Sequence, residues 1–177
     1  MKYTNITWEY NQEPFKAWYK GKAGYPIVDA AKRQLSHCGY MHNRCRMIVG
    51  SFLAKQFLLD CRMGERYFMG HLIDGDLSSN NGGWRFSAST GVDPQPYFRI
   101  FNPLFQSEKF DMEGECIRKW VPELKGIDGK AIHHPYGRGK EKEAKQVGYP
   151  KRIVDHKESR DRCLERYKEG LRKWTAR

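Results

Sequence analysis

Between residues 43 and 60 the chain reads NRCRMIVGSFLAKQFLLD. Wound as a helix, this segment puts apolar side chains on nearly every side: Met47, Ile48, Val49, Phe52, Leu53, Phe57, Leu58 and Leu59. A surface helix keeps a polar flank, whereas a helix apolar nearly all round lies inside a larger body. The apolar run, about 47–54, is too short to span a bilayer, so the expected surroundings are protein and not membrane. The whole chain of 177 residues is long enough for one domain with a real core.

The elements that would wrap this helix can be read on either side of it. Residues 1–25 form a polar lead-in with aromatics spaced along it: Tyr3, Trp8, Tyr10, Phe15, Trp18, Tyr19 and Tyr25. GKAGYP at 21–26 breaks the chain before a predicted helix carrying Ile27, Val28, Ala30, Ala31 and Leu35, which Gly39 ends. Further helices are predicted over 64–72, from 78 or 80 to 89, over 113–121 with Pro122 as the stop, and over 157–174. The last alternates charges at i,i+4 and is expected to be mostly solvated. Residues 91–127 otherwise read as irregular, with three prolines in DPQPYFRIFNP, and 126–150 as an exposed basic loop. With no βαβ rhythm and no internal repeat, the expected class is all-α with long irregular connections.

A net charge of +11 admits a polyanionic partner, nucleic acid ahead of a membrane surface; it is equally the charge of a merely soluble basic protein. The five cysteines are odd in number and scattered without a CxxC pair, which argues for reduced thiols in an intracellular protein. His37, Cys38, His42 and Cys45 fit no standard zinc spacing and read as structural cysteines and capping histidines. MKYTNITWEYNQ at the start has no signal-peptide core. Trp18 and Trp120 read as packing, His133 and His134 as loop surface, and the lysines of 140–145 as solvated.

One stretch asks for more. HLIDGDLSSNNGGW at 71–84 sets two aspartates, two asparagines and two adjacent glycines before a tryptophan. Upstream, MHNRCRM opens the buried helix, and an arginine entering a buried region needs a carboxylate or another anion. Asp74 and Asp76 are the candidates for Arg46. They form either a structural salt bridge or part of a polar pocket for a flat, hydrogen-bonding ligand. In such a pocket carboxylates accept, amides do both, Gly82 and Gly83 let backbone approach a ring, and Trp84 stands beside it. A flavin is a ligand of that description.

GYPIVDAAKRQL, GYMHNRCRMIVGSFLAKQFLLD, GERYFMGHLIDGDLSSNNGGWRFSASTG, PYFRIFNP and WVPEL together resemble the photolyase/cryptochrome flavoproteins, most nearly class I cyclobutane pyrimidine dimer photolyases of a fungal kind. The resemblance covers nearly the whole chain and is weakest at 126–150. It implies the C-terminal part of an all-α FAD-binding domain, light-driven carbon–carbon lyase chemistry, and a flipped-out pyrimidine dimer in DNA as substrate. It implies that Arg46, Asp74 and Asp76 lie near the isoalloxazine, and Asn80 beside its N5. Asn43, Arg44, Met47 and Phe86 would face the lesion, Arg99 a phosphate. Trp84 would be the flavin-proximal member of an electron-transfer chain and Trp8 its exposed end.

The departures carry expectations too. The family's N-terminal antenna domain and the first half of its FAD domain have no counterpart here, so no folate or deazaflavin antenna is expected on this stretch and repair by it alone is expected to be impaired. Cys61 stands where the family has the middle tryptophan of the chain. Gln56 replaces an acid expected near Arg46, and Lys32 a common methionine. The alternative reading is a cryptochrome-like or degenerate module that holds flavin or DNA without repair. The expected compartment is intracellular, with the nucleus first.

Overall fold

The computed structural model describes residues 5–91 and 96–175; Tyr3 and Pro94 lie outside them. Among the described residues the chain is all-α, with nine α-helices, a π-helical segment, short 3-10 turns and one isolated parallel bridge, Glu9 to Leu59. The helices are α1 (Gln12–Tyr19), α2 (Pro26–Cys38), α3 (Asn43–Ser51), α4 (Cys61–Met69), α5 (Leu77–Ser87), α6 (Pro103–Phe110), α7 (Glu115–Trp120), α8 (Glu141–Gln146) and α9 (His156–Thr175).

Local chemistry sets most of the boundaries. Pro26 opens α2, where its missing N–H costs nothing, and Gly39 closes it at φ 68°. Asn11, Asp60, Asp76 and Asn102 each accept a backbone N–H at the start of α1, α4, α5 and α6. His42 does the same for α3, as expected of a capping histidine. The α4 cap explains why that helix begins at Cys61 and not at residue 64.

The central helix is buried as its apolar wheel requires. From Ile48 to Leu59 the side chains are buried, and α3 packs on α2 and α5. It does not run to residue 60. After Ser51 it widens into a π-helix over Phe52–Gln56, and Leu58 then turns left-handed at φ 55°. That conformation is costly for a branched side chain. Here the Leu58 carbonyl accepts the Glu9 N–H at 2.8 Å, and Leu58 itself seats in a small second core with Ile6, Cys163 and Tyr167. The last helix shows the expected solvated character except for one narrow stripe, Ser159, Cys163, Tyr167 and Gly170.

Three expectations are corrected. Residues 91–127 contain a second helix, α6. The stretch 126–150 is not an exposed loop: it holds 3-10 turns at Gly129–His133 and Pro135–Gly137 and the helix α8, and it buries Ile127, Ile132, Ala144 and Tyr149. His133 is not on the surface. It is buried, with Nδ1 2.7 Å from the Ser107 hydroxyl and Nε2 3.2 Å from the Met112 carbonyl. Since a carbonyl only accepts, Nε2 carries the proton and Nδ1 accepts from Ser107.

The 126–150 region is tied to the helix core through Asp29. Its buried carboxylate accepts from Ala23 N at 2.7 Å, Gly24 N at 3.0 Å and the Tyr149 hydroxyl at 2.6 Å. Burial outweighs these donors and raises its pKa from 3.8 to about 6. The folded state therefore holds more protons than the unfolded chain between those values, and stability must fall as pH rises through that window. Relative to Asp29→Asn, the wild type should lose up to about 3 kcal/mol between pH 4 and 7 in urea denaturation. Parallel pH profiles for the two proteins would show that Asp29 ionises in the fold as it does in water.

Candidate functional site

Two helix starts and one short connection build the site. Arg46 lies in the first turn of α3. Its Nε donates to the Met41 carbonyl at 2.7 Å, and Nη2 donates to both oxygens of Asp74 at 2.9 and 2.8 Å. Asp74 sits in the connection from α4 to α5. The expected salt bridge is therefore present, and Asp74 is the partner. Asp76 is not: its carboxylate caps α5 by accepting from Ser79 N at 2.8 Å, and the Ser79 hydroxyl, with that N–H second, holds its pKa below the usual carboxylate value.

The pair is only partly withdrawn from water, with side chains 26% and 49% exposed. Its strength as a fold contact is correspondingly small. Its position is more telling, because both residues face an open cavity of about 150 Å³. Asn43, Met47, Asp76, Asn80 and Trp84 line the same cavity, with Phe68 of α4 and Leu72 of the turn after it behind. Asn80 and Trp84 are four apart on α5 and so share a face. The Asn80 amide donates to the Glu65 carbonyl at 2.9 Å, which leaves its carboxamide oxygen as the part available to a ligand.

Trp84 is fixed before any ligand arrives. Its ring meets Phe68 edge-to-face at 5.0 Å and Trp18 at 5.9 Å. Gly64 of α4 lets the indole come this close, since a Cβ there would fall 2.1 Å from the ring. The Trp84 Nε1 is buried without a partner. Gly83 lines the cavity and Gly82 does not; both have open space where a side chain would be.

Not every expected residue reaches this cavity. Arg44 points elsewhere and lies 4.4 Å above the Phe110 ring, Phe86 is half-buried off the cavity wall, and Arg99 is exposed. Trp8 and Cys61 line a separate cleft with Asp60, Glu65 and Thr90. The expectation that position 56 lies near Arg46, so that Gln56 costs it a partner, is corrected: ten residues of helix separate them by roughly 15 Å. The Gln56 amide donates instead to the Phe101 carbonyl at 3.1 Å. The sequence does not single out Phe68, Leu72 and Ser87; of these only Ser87, three residues after Trp84 on α5, has a helical spacing that points to the site.

Fold and site together define a helical domain that gathers acids, an amide and an indole around one cavity. Residues 1–169 match the family described as the FAD binding domain of DNA photolyase. The deoxyribodipyrimidine photo-lyase of Neurospora crassa is 64% identical over 96% of this chain, which spans 29% of that protein. A bacterial class III photolyase structure from Agrobacterium tumefaciens superposes with a TM-score of 0.91 at 44% identity, covering 97% of this chain and 36% of that one. A Synechocystis cryptochrome structure gives 0.84 at 38%, covering 91% and 34%. The chain belongs to the family of DNA photolyase FAD-binding domains, and it spans about a third of the length of the relatives it matches.

The Arg46–Asp74 pair gives the first test of whether the cavity or the fold uses these charges. In a double-mutant cycle of Arg46→Ala and Asp74→Ala, thermal denaturation without ligand should return a coupling below about 1 kcal/mol. A coupling of several kcal/mol would make the pair a structural clamp first.

Proposed function

We propose that this chain holds the isoalloxazine of FAD against Trp84, Asn80 and the Arg46–Asp74 pair, as part of a light-driven enzyme that splits cyclobutane pyrimidine dimers in DNA. The observation that carries the reading is the cavity in which those four residues converge. They fit the group. The unpartnered indole N–H, the open space at Gly83 and the carboxamide oxygen of Asn80 suit a flat ring with imide and imine edges, and a guanidinium held by a carboxylate suits a ring that becomes electron-rich on reduction.

Reduced FAD, when bound, supplies the light-excited electron that opens the cyclobutane ring and takes it back afterwards. The rest falls to the protein. Asn43 and Met47 stand at the cavity rim, where they would meet the flipped-out lesion. Arg44 and Phe86, which the resemblance puts at the lesion, stand outside the cavity, as does Arg99, which it puts on a phosphate. Asp76 holds the start of α5 and so sets the height of Asn80 and Trp84. The partner is dimer-containing DNA, and the nucleus is the compartment proposed with it. The +11 charge supports a polyanion. No antenna chromophore is assigned to these residues.

A second reading, flavin or DNA binding without repair, is favoured by one observation: Cys61 occupies the cleft beside Trp8. Burial, then Asp60 and Glu65, push its thiol up to about 11, so it stays protonated and is a poor electron carrier.

FAD titration of the purified chain tests the first step. Binding with a micromolar or tighter Kd and strongly quenched flavin fluorescence is expected, and Trp84→Phe should raise that fluorescence several-fold with a smaller change in Kd. Unchanged emission in the variant would remove the indole from the ring's side. Light-dependent loss of dimers from a damaged oligonucleotide then separates repair from binding alone.

A further inference from the structure

Cys61 breaks the run from Trp84 toward Trp8, and among the described residues Trp8 has its ring contact with Tyr167, at 6.2 Å, not with Trp84. A different aromatic run leaves Trp84. The Trp18 ring lies 5.9 Å from it. Tyr67 meets Trp18 edge-to-face at 5.7 Å. The Tyr67 ring then stacks on the exposed imidazole of His71 at 3.9 Å, and on Tyr19 at 5.8 Å. Trp18 is fully buried, and its Nε1 donates to the Val49 carbonyl at 3.0 Å. Tyr67 is half-buried beside a surface depression shared with Ser36 and His71. The rings therefore form an unbroken path from the proposed flavin cavity to solvent.

We propose that electrons reach Trp84 through Tyr67 and Trp18, so that this chain carries a relay that bypasses Cys61. The inference rests on the flavin reading above. Trp84 gives one electron to the light-excited, oxidised flavin. Trp18 refills Trp84, and Tyr67 refills Trp18. Tyr67 loses its phenolic proton to water as it loses its electron; an external thiol then returns a hydrogen atom to the Tyr67 oxygen and is left as a thiyl radical. Between the rings each step moves one electron, and in the net change the thiol gives one electron to the flavin and one proton to water.

Lys32 bears on whether Trp18 can hold a positive charge. Its Nζ lies 3.6 Å from the Trp18 ring centroid and 4.0 Å from that of Tyr67, fully buried and without a hydrogen-bond partner. An ammonium there would oppose a hole on either ring. Burial with no counter-ion favours the neutral amine and drives its pKa far down. The amine thus leaves the path open.

The test uses the 177-residue chain loaded with oxidised FAD, with ring-deuterated tyrosine, illuminated and frozen for EPR. A tyrosyl signal narrowed by the deuteration is expected. Trp18→Phe should reduce its yield at least tenfold. Tyr67→Phe keeps the ring and its packing and removes only the hydroxyl, so it should abolish the tyrosyl signal and leave a tryptophan radical in its place. Tyrosyl radical that survives Tyr67→Phe, or is lost with Trp8→Phe while Trp18→Phe leaves it intact, would overturn the relay and leave the flavin reading standing. No flavin binding would sink both, since nothing would then oxidise Trp84. Mass spectrometry after prolonged illumination in air gives a second readout: oxygen adducts should collect on Tyr67 and Trp18 ahead of Trp8.

Discussion

A helix buried on all sides must send its polar groups out at its ends, and that constraint organises this molecule. From Ile48 to Gln56 the central helix and its π-helical continuation offer water nothing. At one end Arg46 turns back to the Met41 carbonyl and out to Asp74, and so places a charge pair at the mouth of a cavity. At the other end Lys55 donates to the Arg99 carbonyl at 2.8 Å, Gln56 to that of Phe101, and Arg162 of α9 to that of Gln56 at 2.9 Å. One end makes the site. The other pins the irregular segment after residue 96 and the last helix. Each polar group satisfies a partner that burial would otherwise leave costly.

How far such an arrangement is legible in sequence depends on whether the cause is local. The limits of α2 were readable because Pro26 and Gly39 act on their own backbone. The full extent of the central helix was not, because its end is set by Glu9, some fifty residues earlier in the chain, pairing with the Leu58 carbonyl. Residues 126–150 misled for a related reason. Lysines and glutamates cover one side of α8, while the region's buried contacts are few and far apart, Ala144 within the helix and, beyond it, Tyr149 reaching back to Asp29. A stripe of one or two residues gives no periodicity to read. His133 was misread because its partner, Ser107, lies on a helix the prolines concealed.

The site was more legible than the fold around it, and again for a physical reason. Its acids, amides, glycines and indole fall within eleven residues, 74–84, and the arginine they needed stood at the start of a helix too apolar to bury it alone. What composition could not supply was assignment. Asp74 and Asp76 are equivalent in sequence, but only the first reaches Arg46, while the second is taken up by the helix cap that local geometry offers it. Gln56 failed in the same way: its neighbour was inferred from resemblance, and helix rise placed it elsewhere.

An indole that acts on a ring beside it, in either direction, must be held at a fixed distance without help from the ligand. Gly64 admits Trp84, Phe68 and Trp18 brace its faces and edges, and Asp76 fixes the helix that carries it. The same close packing that orders the indole brings Trp18 within reach, so a contact that reads as core filler from sequence is also the next ring outward. Packing and electron transfer ask the same thing of a side chain here, rigid aromatic neighbours at van der Waals distance. That is why Cys61, at the position the resemblance gives to a middle tryptophan, need not isolate Trp84 in the proposed relay while the core that holds it remains aromatic.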